Sequence, residues 1–255
     1  MTAGPPMDRL RGQRVLITRA AEDCGAWAAR LRASGAVPVI LPCIACVLID
    51  EPGVRARLAG GVRGADWVVF TSRRGVDAFC RLLGDTAQSA LPGAARVAVV
   101  GPATADAALA RLGRVDLVAE TATAGSLARA LAARLQRAPQ TGGAQILIAV
   151  AENADGVLQD ILSAAGGACT RVDVYRTVPV AAPRAKRTLS ALGADKILLA
   201  SPSAVTGLLN QIELDTAAEI FSIGPSTSRA ARAAELSVTA EAASPSLEGL
   251  LETMR

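Results

Sequence analysis

The chain has 255 residues, of which 51% are hydrophobic, and it carries a net charge of +4 without a single histidine. This length allows two modest domains. The lack of histidine excludes a Ser-His-Asp triad, a Cys-His pair and histidine-ligated metals. Any catalysis must therefore use hydroxyls, carboxylates, guanidinium groups or backbone N–H groups.

The composition also limits the cellular location that we expect and the classes of large partner that the protein could bind. No apolar run approaches the roughly 20 residues that cross a bilayer, and residues 1–14 lack the apolar core of a signal peptide. We therefore expect a cytoplasmic protein without membrane contact. Arginine and acidic residues are interspersed, with no basic block and no stacking aromatic residues, so no nucleic-acid partner is expected. The mild positive charge is compatible with a small polyanionic ligand.

Apolar runs alternate with helical patterns along the whole chain. Cys24, Trp27 and Leu31 recur at helical spacing after the first run, and similar stripes follow the later ones. The runs that predict strands are residues 15–18, 68–70, 97–100, 146–149, 197–199 and 220–223. Such alternation is typical of parallel sheets covered on both faces, so the predicted class is a doubly wound, flavodoxin-like α/β fold.

The sequence contains one C-x-x-C motif, formed by Cys43 and Cys46. With five scattered cysteines and no histidine, a tetrahedral zinc site cannot be completed by the usual ligands. A redox pair opens a helix, whereas residues 42–49 have the pattern of an extended chain. We expect buried or half-buried thiols in a reducing compartment. Neither a P-loop string nor a G-x-G-x-x-G after a strand occurs, so a nucleotide cofactor is unsupported.

Three phrases occur twice, in the same order and about half a chain apart. Residues 67–76 (WVVFTSRRGV) return as residues 196–205 (KILLASPSAV). Residues 99–104 (VVGPAT) return as residues 222–227 (SIGPST), and a shorter Ala-Glu and Ser-Leu pattern follows each copy. Self-similarity on this scale indicates two copies of one α/β unit.

Two extended, proline-bounded stretches interrupt the alternation, at residues 38–42 and 173–179. They occupy equivalent places in the two copies, just after a glycine-terminated helix. We interpret them as crossings between two lobes that pair with each other. The pattern leaves open whether each copy forms its own lobe or whether the copies exchange segments.

Small hydroxyl residues and glycines lie where predicted strands meet their helices. These positions are Thr71, Ser72, Gly101, Thr104, Ser201, Ser203, Gly224 and Thr227. Helix capping, worth about 1 kcal/mol for each cap, explains any one serine or threonine of this set. The alternative is that free N–H groups and the helix dipole attract carboxylates or phosphates. Because the turns recur across the duplication, a shared anion-binding cleft is the favoured interpretation.

Tyr175 is the only phenol in the chain, and it lies in one of the extended crossings. A lone tyrosine more often packs at an interface. With no competing phenol, Tyr175 is nevertheless the natural candidate for a general acid. Arg19 and Arg73 follow predicted strands; such residues are usually solvated, but here they could hold carboxylates in a bidentate manner.

These motifs, in this order and spacing, resemble the uroporphyrinogen-III synthase family over nearly the whole chain. The segments that carry the resemblance are residues 15–19, Phe70-Thr71-Ser72 with Val76, Val100-Gly101 with Thr104, Val174-Tyr175 with Thr177, residues 201–205, Ile223-Gly224 with Thr227, and residues 244–250. The resemblance implies two similar lobes that exchange segments. One lobe would comprise residues 1–38 and 179–255, the other residues 46–171, with linker strands at 39–45 and 172–178.

The resemblance also implies a reaction. The family closes hydroxymethylbilane, a linear tetrapyrrole with eight carboxylates, to uroporphyrinogen III with inversion of the last ring and loss of water. No cofactor or metal is used. Tyr175 would assist departure of the hydroxyl, the turn residues would hold acetate and propionate groups, and Arg19 would supply charge. We expect a monomeric lyase of heme, siroheme and cobalamin biosynthesis that transiently contacts the upstream bilane-forming enzyme.

Two departures from the family pattern and one competing function remain. Leu199-Ala200 stands where Phe-Thr is common, and Ala20 stands where proline often follows the first arginine. A non-catalytic two-lobed protein that binds a small anion also has duplicated lobes and hydroxyl-rich clefts. Most such proteins are exported, however, and this sequence shows no export signal. A receiver-like pair would need clustered aspartates at the strand ends, where threonine, serine and glycine are found instead.

Overall fold

The computed structural model of the protein describes residues 10–84, 91, 93–137 and 143–254. Residues 1–9, on which the predicted location partly depends, lie outside the described residues. In chain order the elements are β1 (Arg14–Ile17), α1 (Ala21–Ala33), β2 (Val37–Ile40), β3 (Ile44–Leu48), α2 (Pro52–Arg63), β4 (Trp67–Phe70), α3 (Arg73–Leu83), β5 (Arg96–Val99), α4 (Pro102–Leu112), β6 (Leu117–Val118), α5 (Ala124–Arg137), β7 (Gln145–Ala151), α6 (Val157–Ala164), β8 (Ala168–Pro179), β9 (Arg187–Thr188), α7 (Leu189–Leu192), β10 (Lys196–Leu199), α8 (Pro202–Gln211), β11 (Ile212–Glu213), β12 (Glu219–Ser222), α9 (Pro225–Ala233), β13 (Val238–Glu241) and α10 (Leu247–Thr253).

The chain divides into two compact units. The discontinuous unit comprises Met1–Cys46 and Thr177–Arg255, and the contiguous unit comprises Val47–Arg176. The chain passes from one unit to the other within β3 and again within β8. Among the described residues, no helix combines the length and apolar character that crossing a membrane requires.

The discontinuous unit has a five-stranded parallel sheet in the order β13-β12-β10-β1-β2. Alternate strand residues enter two different cores. Leu198 and Phe221 pack with α1 and α10, whereas Ile197 and Leu199 pack with α7, α8 and α9. Because both faces are covered, these strands are continuous apolar runs rather than alternating ones.

The contiguous unit has a six-stranded sheet in the order β3-β8-β7-β4-β5-β6. Val68 and Phe70 pack with α2, α3 and α4, and the Phe70 and Phe79 rings meet edge to face at 5.2 Å. Trp67 and Val69 point to the other face and pack with α5 and α6. All four residues of β4 are buried, as expected for a central parallel strand.

Equivalent strands have the same spatial order in the two sheets. The five strands of the discontinuous unit have the order 2-1-3-4-5 when counted from β1. The contiguous unit has the same spatial order when β7 and β8 are counted first and β4, β5 and β6 after them, so it is a circular permutation of the other unit, with β3 added at the edge. The fold is therefore the doubly wound α/β class that the sequence predicts. The order reverses between β1 and β10 and between β7 and β4, and such switch points are where open α/β sheets bind ligands.

The predicted pairing of residues 38–42 with residues 173–179 is wrong. Residues 37–40 form β2, which pairs in parallel with β1. The neighbours of β8 are β3 on one side and β7 on the other. Both extended stretches, 38–42 and 44–48, are apolar and close to proline. Their local pattern therefore did not distinguish β2, an edge strand of the discontinuous unit, from the crossing strand β3.

Candidate active site

Thr71 and Ser72 follow β4 at the switch point of the contiguous unit. Ser72 is the N-cap residue of α3, and its Oγ accepts a hydrogen bond from the Gly75 N–H at 3.0 Å. The extended backbone of Ser72 supplies the geometry that such a cap needs. Both Thr71 and Ser72 are half-buried at this strand end.

Tyr175 meets Ser72 although the two residues lie 103 positions apart in the chain. Its phenol oxygen is 3.0 Å from Ser72 Oγ. Strand β8 carries Tyr175 past the end of β7, where the Tyr175 carbonyl accepts a hydrogen bond from the Glu152 N–H at 2.9 Å. The structure thus joins the predicted acid and a predicted turn hydroxyl in one hydrogen-bonded pair.

Gly101 and Thr104 lie at the next strand end of the contiguous unit. Gly101 is the N-cap residue of α4 and makes no side-chain cap bond, and Pro102 occupies the first turn. A Cβ at Gly101 would lie 3.2 Å from Ala122 Cβ, so a larger residue would crowd that loop. Thr104 is buried, with 4% of its surface exposed. Capping therefore explains Ser72 but not Thr104.

The discontinuous unit repeats this arrangement. Ser201 is the N-cap residue of α8, where its Oγ accepts from the Ala204 N–H at 3.1 Å, and half-buried Ser203 lies in the first turn. Gly224 is the N-cap residue of α9, again without a side-chain cap bond. Thr227, the counterpart of Thr104, is 1% exposed, and its Oγ1 has no hydrogen-bond partner.

Arg19 lies just beyond β1, at the switch point of the discontinuous unit. Its Nη2 donates to Asp23 Oδ2 at 2.9 Å, and its guanidinium lies 4.8 Å from the centre of the Trp27 ring. The buried Arg19 Nε has no hydrogen-bond partner. Part of the charge is therefore neutralised by Asp23 while one donor stays open. Arg73 is exposed in the first turn of α3.

The cysteines form no reactive pair. Burial raises the pKa of Cys43 to about 12, and it also raises the pKa of the Cys24, Cys80 and Cys169 thiols. Cys46 Sγ lies 3.7 Å from Thr177 Oγ1, and all five cysteines are free. Cys43 is thus not a thiolate at neutral pH. Within the part of the chain that is described, no three metal-ligating side chains gather into a group.

The sequence analysis missed several side chains near these strand ends. Asp23 lies four residues after Arg19 on α1, a spacing that could have revealed the ion pair. Asp155, Gln159 and Arg171 surround a cavity beside Thr71 in the contiguous unit. No sequence signal marked these three residues, although all lie within residues 155–171, because it is the fold that brings them next to Thr71 at the end of β4.

The fold and the strand ends define a duplicated, doubly wound α/β protein whose switch points carry hydroxyls, helix N-termini and one phenol. The family model described as uroporphyrinogen-III synthase HemD matches residues 25–252. The chain therefore belongs to the uroporphyrinogen-III synthase family, as the resemblance predicted.

Individual relatives agree with this assignment. The porphyrin biosynthesis protein HemD of Ruminiclostridium josui is 29% identical over 170 residues, or 66% of this chain. The aligned region spans only 32% of that relative's length. Two solved uroporphyrinogen III synthases share the fold: a mutant from Thermus thermophilus (TM-score 0.52, 17% identity, covering 94% of this chain and 96% of that one) and the protein from Helicobacter pylori (TM-score 0.55, 15% identity, covering 94% and 97%).

Proposed function

We propose that the protein is a uroporphyrinogen-III synthase that closes hydroxymethylbilane to uroporphyrinogen III, with inversion of the last ring and loss of water. Family membership supports the activity. The hydrogen bond between Tyr175 and Ser72 is the observation that carries the mechanism, because it places one phenol at a ligand-binding strand end. The enzyme would be a lyase that works without a cofactor.

Proton delivery to the leaving hydroxyl is the role of Tyr175 in this mechanism. The phenol proton passes to the terminal hydroxyl of the bilane, the carbon–oxygen bond breaks, and water leaves. Ser72 Oγ already accepts from the Gly75 N–H, so its own proton is available to the phenol oxygen. A serine that donates in this direction leaves the Tyr175 proton for the substrate and stabilises the phenolate that forms.

Control over which carbon is attacked is the larger task, because the bilane also closes by itself to the non-inverted isomer. Fixed positioning of the substrate can supply that control. The N-termini of α3, α4, α8 and α9 provide N–H groups and dipoles that suit acetate and propionate. We propose that the half-buried Thr71, Ser201 and Ser203 hydroxyls donate to these carboxylates, while the single proton of Ser72 stays with Tyr175 and Gly101 and Gly224 leave the backbone accessible.

One of two unpaired polar atoms in the discontinuous unit supports this binding role. Arg19 Nε and Thr227 Oγ1 are both buried and lack hydrogen-bond partners. An unsatisfied buried polar group typically costs about 1–3 kcal/mol. A substrate carboxylate would supply the partner that Arg19 Nε lacks, whereas Thr227 Oγ1 lies too deep for direct contact. Because Thr104 and Thr227 are almost fully buried, we assign them to the inner wall of the turns rather than to first contact with substrate.

The decisive assay couples the protein to enzymatically generated hydroxymethylbilane and resolves the uroporphyrin isomers. The synthase yields the III isomer above the spontaneous background, and Tyr175→Phe should lose most of that excess. A two-lobed anion-binding protein would bind the bilane yet leave the isomer ratio at background, and this result would contradict the proposal. Cytoplasmic location, a monomeric state, the lobe boundaries and contact with the upstream enzyme remain predictions.

A further inference from the structure

Two charged residues of the contiguous unit adjoin Tyr175, where β7 ends and β8 continues. Glu152 follows the last residue of β7, and Arg176 follows Tyr175 in β8. We propose that Glu152 and Arg176 are positioning residues, which hold Tyr175 in the orientation that lets its phenol meet Ser72. The inference rests on the proposed function, because it concerns the acid of that reaction.

A β-bulge in β8 creates the need for such positioning. The pairing of β7 with β8 skips Val174, so that Ala151 pairs with Tyr175. Side chains of a regular strand alternate between the two faces of the sheet. Here Val174 and Tyr175 are consecutive, yet both pack against the core formed with α2, α3 and α4. The bulge thus turns Tyr175 toward the face covered by α3, the helix that Ser72 caps.

Glu152 holds the bulged part of β8 through three of its groups. Its N–H donates to the Tyr175 carbonyl at 2.9 Å, and its carbonyl accepts from Arg171 Nη2 at 3.2 Å. Its carboxylate oxygen Oε1 lies 3.3 Å from Arg176 Nη2, which makes an ion pair. The backbone around Tyr175 is therefore fixed both at its own carbonyl and through the side chain of the next residue.

Arg176 also contacts the N-terminus of α2. Its Nη2 donates to Oε1 of Glu51, the N-cap residue of α2, at 3.4 Å. The buried Arg176 Nε has no hydrogen-bond partner, but two carboxylates already face this one guanidinium, and they would repel a substrate anion. Loss of the bulge would move Arg176 by one residue, about 3.3 Å, which is enough to break both ion pairs. The ion pairs therefore favour the bulged register that turns Tyr175 toward Ser72.

Tyr175 is the only tyrosine, so labelling the whole protein with ¹³Cζ-tyrosine gives one NMR signal that reports on this phenol alone. Arg176→Gln and Glu152→Gln should each move the signal toward its position in Ser72→Ala, the variant that lacks the Ser72 hydroxyl. Arg176→Lys keeps the charge and should stay near the wild-type position. Arg81→Gln, at an exposed arginine of α3, is the matched control and should leave the signal unchanged. A signal that stays in place in both Gln variants, or in Ser72→Ala, would contradict the inference.

In the synthase assay, each Gln variant should lower kcat for the III isomer about fivefold to tenfold and change KM less than about twofold. The same substitutions added to Tyr175→Phe should have less than about a twofold further effect, because they act through the phenol. A raised KM with unchanged kcat would show that Arg176 binds substrate, and losses that multiply with Tyr175→Phe would show a role independent of the acid. Either result contradicts the positioning role alone. Wild-type protein that forms no III isomer would contradict the proposed function, while the NMR signal would still decide what orients Tyr175.

Discussion

The two units hold their two central strands together with the same local contact. Asp66 precedes β4, and its Oδ2 accepts from the Gln145 N–H of β7 at 2.8 Å. Asp195 precedes β10, and its Oδ2 accepts from the Arg14 N–H of β1, also at 2.8 Å. The duplication has thus kept the register of the central strand pair in both sheets.

The carboxyl ends of the same strands differ. Strand β8 runs twelve residues, leaves the contiguous unit after Arg176 and carries Tyr175 to Ser72, whereas its counterpart β2 ends after four residues, at Ile40. Ser201 repeats the cap made by Ser72, but no phenol meets it, since Tyr175 is the only one in the chain. The comparison teaches that the scaffold is repeated while the phenol belongs to one copy.

The largest effect should come from Tyr175→Phe, which removes the proton of the only phenol. General acid catalysis contributes about 10²–10⁴-fold, so we expect kcat for the III isomer to fall at least 10²-fold with KM nearly unchanged. The coupled isomer assay measures both. Near wild-type turnover in this variant would mean that Tyr175 does not make the contiguous unit functionally different from the other.

A second test compares Ser72→Ala with Ser201→Ala. Each change removes one N-cap, so both should cost about 1 kcal/mol of unfolding free energy. Only Ser72→Ala also loses the bond to Tyr175, so we expect about a tenfold loss of kcat there and a smaller loss, mainly in KM, for Ser201→Ala.

A rescue variant distinguishes an effect of Ser72 on the position of Tyr175 from an effect on protein stability alone. Ser72→Thr keeps the hydroxyl and should recover most of kcat. Equal kinetic losses in Ser72→Ala and Ser201→Ala would show that the contact with Tyr175 has no catalytic role.

A third comparison uses one equivalent backbone N–H in each unit. Val97 N–H donates to the Asp116 carboxylate at 2.8 Å, whereas Ile220 N–H donates to the Thr239 hydroxyl at 3.0 Å. Burial alone would raise the pKa of Asp116, but the Val97 N–H and the Arg114 guanidinium outweigh it and hold that pKa below its ordinary value. A lowered folded-state pKa stabilises the protein above the ordinary value near 4, and this contribution is lost as pH falls through the folded pKa.

Asp116→Ala should therefore lower the free energy of unfolding by about 1 kcal/mol at pH 7 and by progressively less below pH 4. Thr239→Ala should lower it by a similar amount at neutral and at acid pH. The two tryptophans allow separate measurement by urea unfolding, because Trp27 reports on the discontinuous unit and Trp67 on the contiguous one. Trp27→Phe and Trp67→Phe backgrounds isolate each signal. A penalty for Asp116→Ala that does not shrink in acid would contradict the charge-based account.

The smallest effect concerns Asp23. Exposed i,i+4 ion pairs contribute about 0.3–0.5 kcal/mol. Only 12% of the Asp23 side chain is exposed, so Asp23→Ala should cost somewhat more, about 1 kcal/mol. The substitution frees the Arg19 Nη2 donor for a substrate carboxylate, and we therefore expect KM for the bilane to fall about twofold to fivefold. An unchanged or raised KM would mean that Arg19 serves the local contact with Trp27 rather than the substrate.

Local patterns were sufficient to predict the central strands, many of the helices and the hydroxyl-bearing turns, but not α2, β6 or β13. Continuous apolar runs such as Trp67–Phe70 mark buried parallel strands, and Ser72 and Ser201 stand where caps are needed. Contacts between distant residues were beyond such patterns. The pairing of β2 with β1, the meeting of Tyr175 with Ser72 and the cavity beside Thr71 all depend on which strands become neighbours.

Strand neighbours also fix the order in which the chain can acquire structure. Val15 of β1 pairs with Lys196 of β10, so the central pair of the discontinuous unit joins residues from opposite ends of the chain. The contiguous unit needs only Val47–Arg176. During synthesis at the ribosome, the middle of the chain can therefore fold while β1 still waits for its partners. Pulse-labelled hydrogen exchange on stalled nascent chains should show β4 protected before β1.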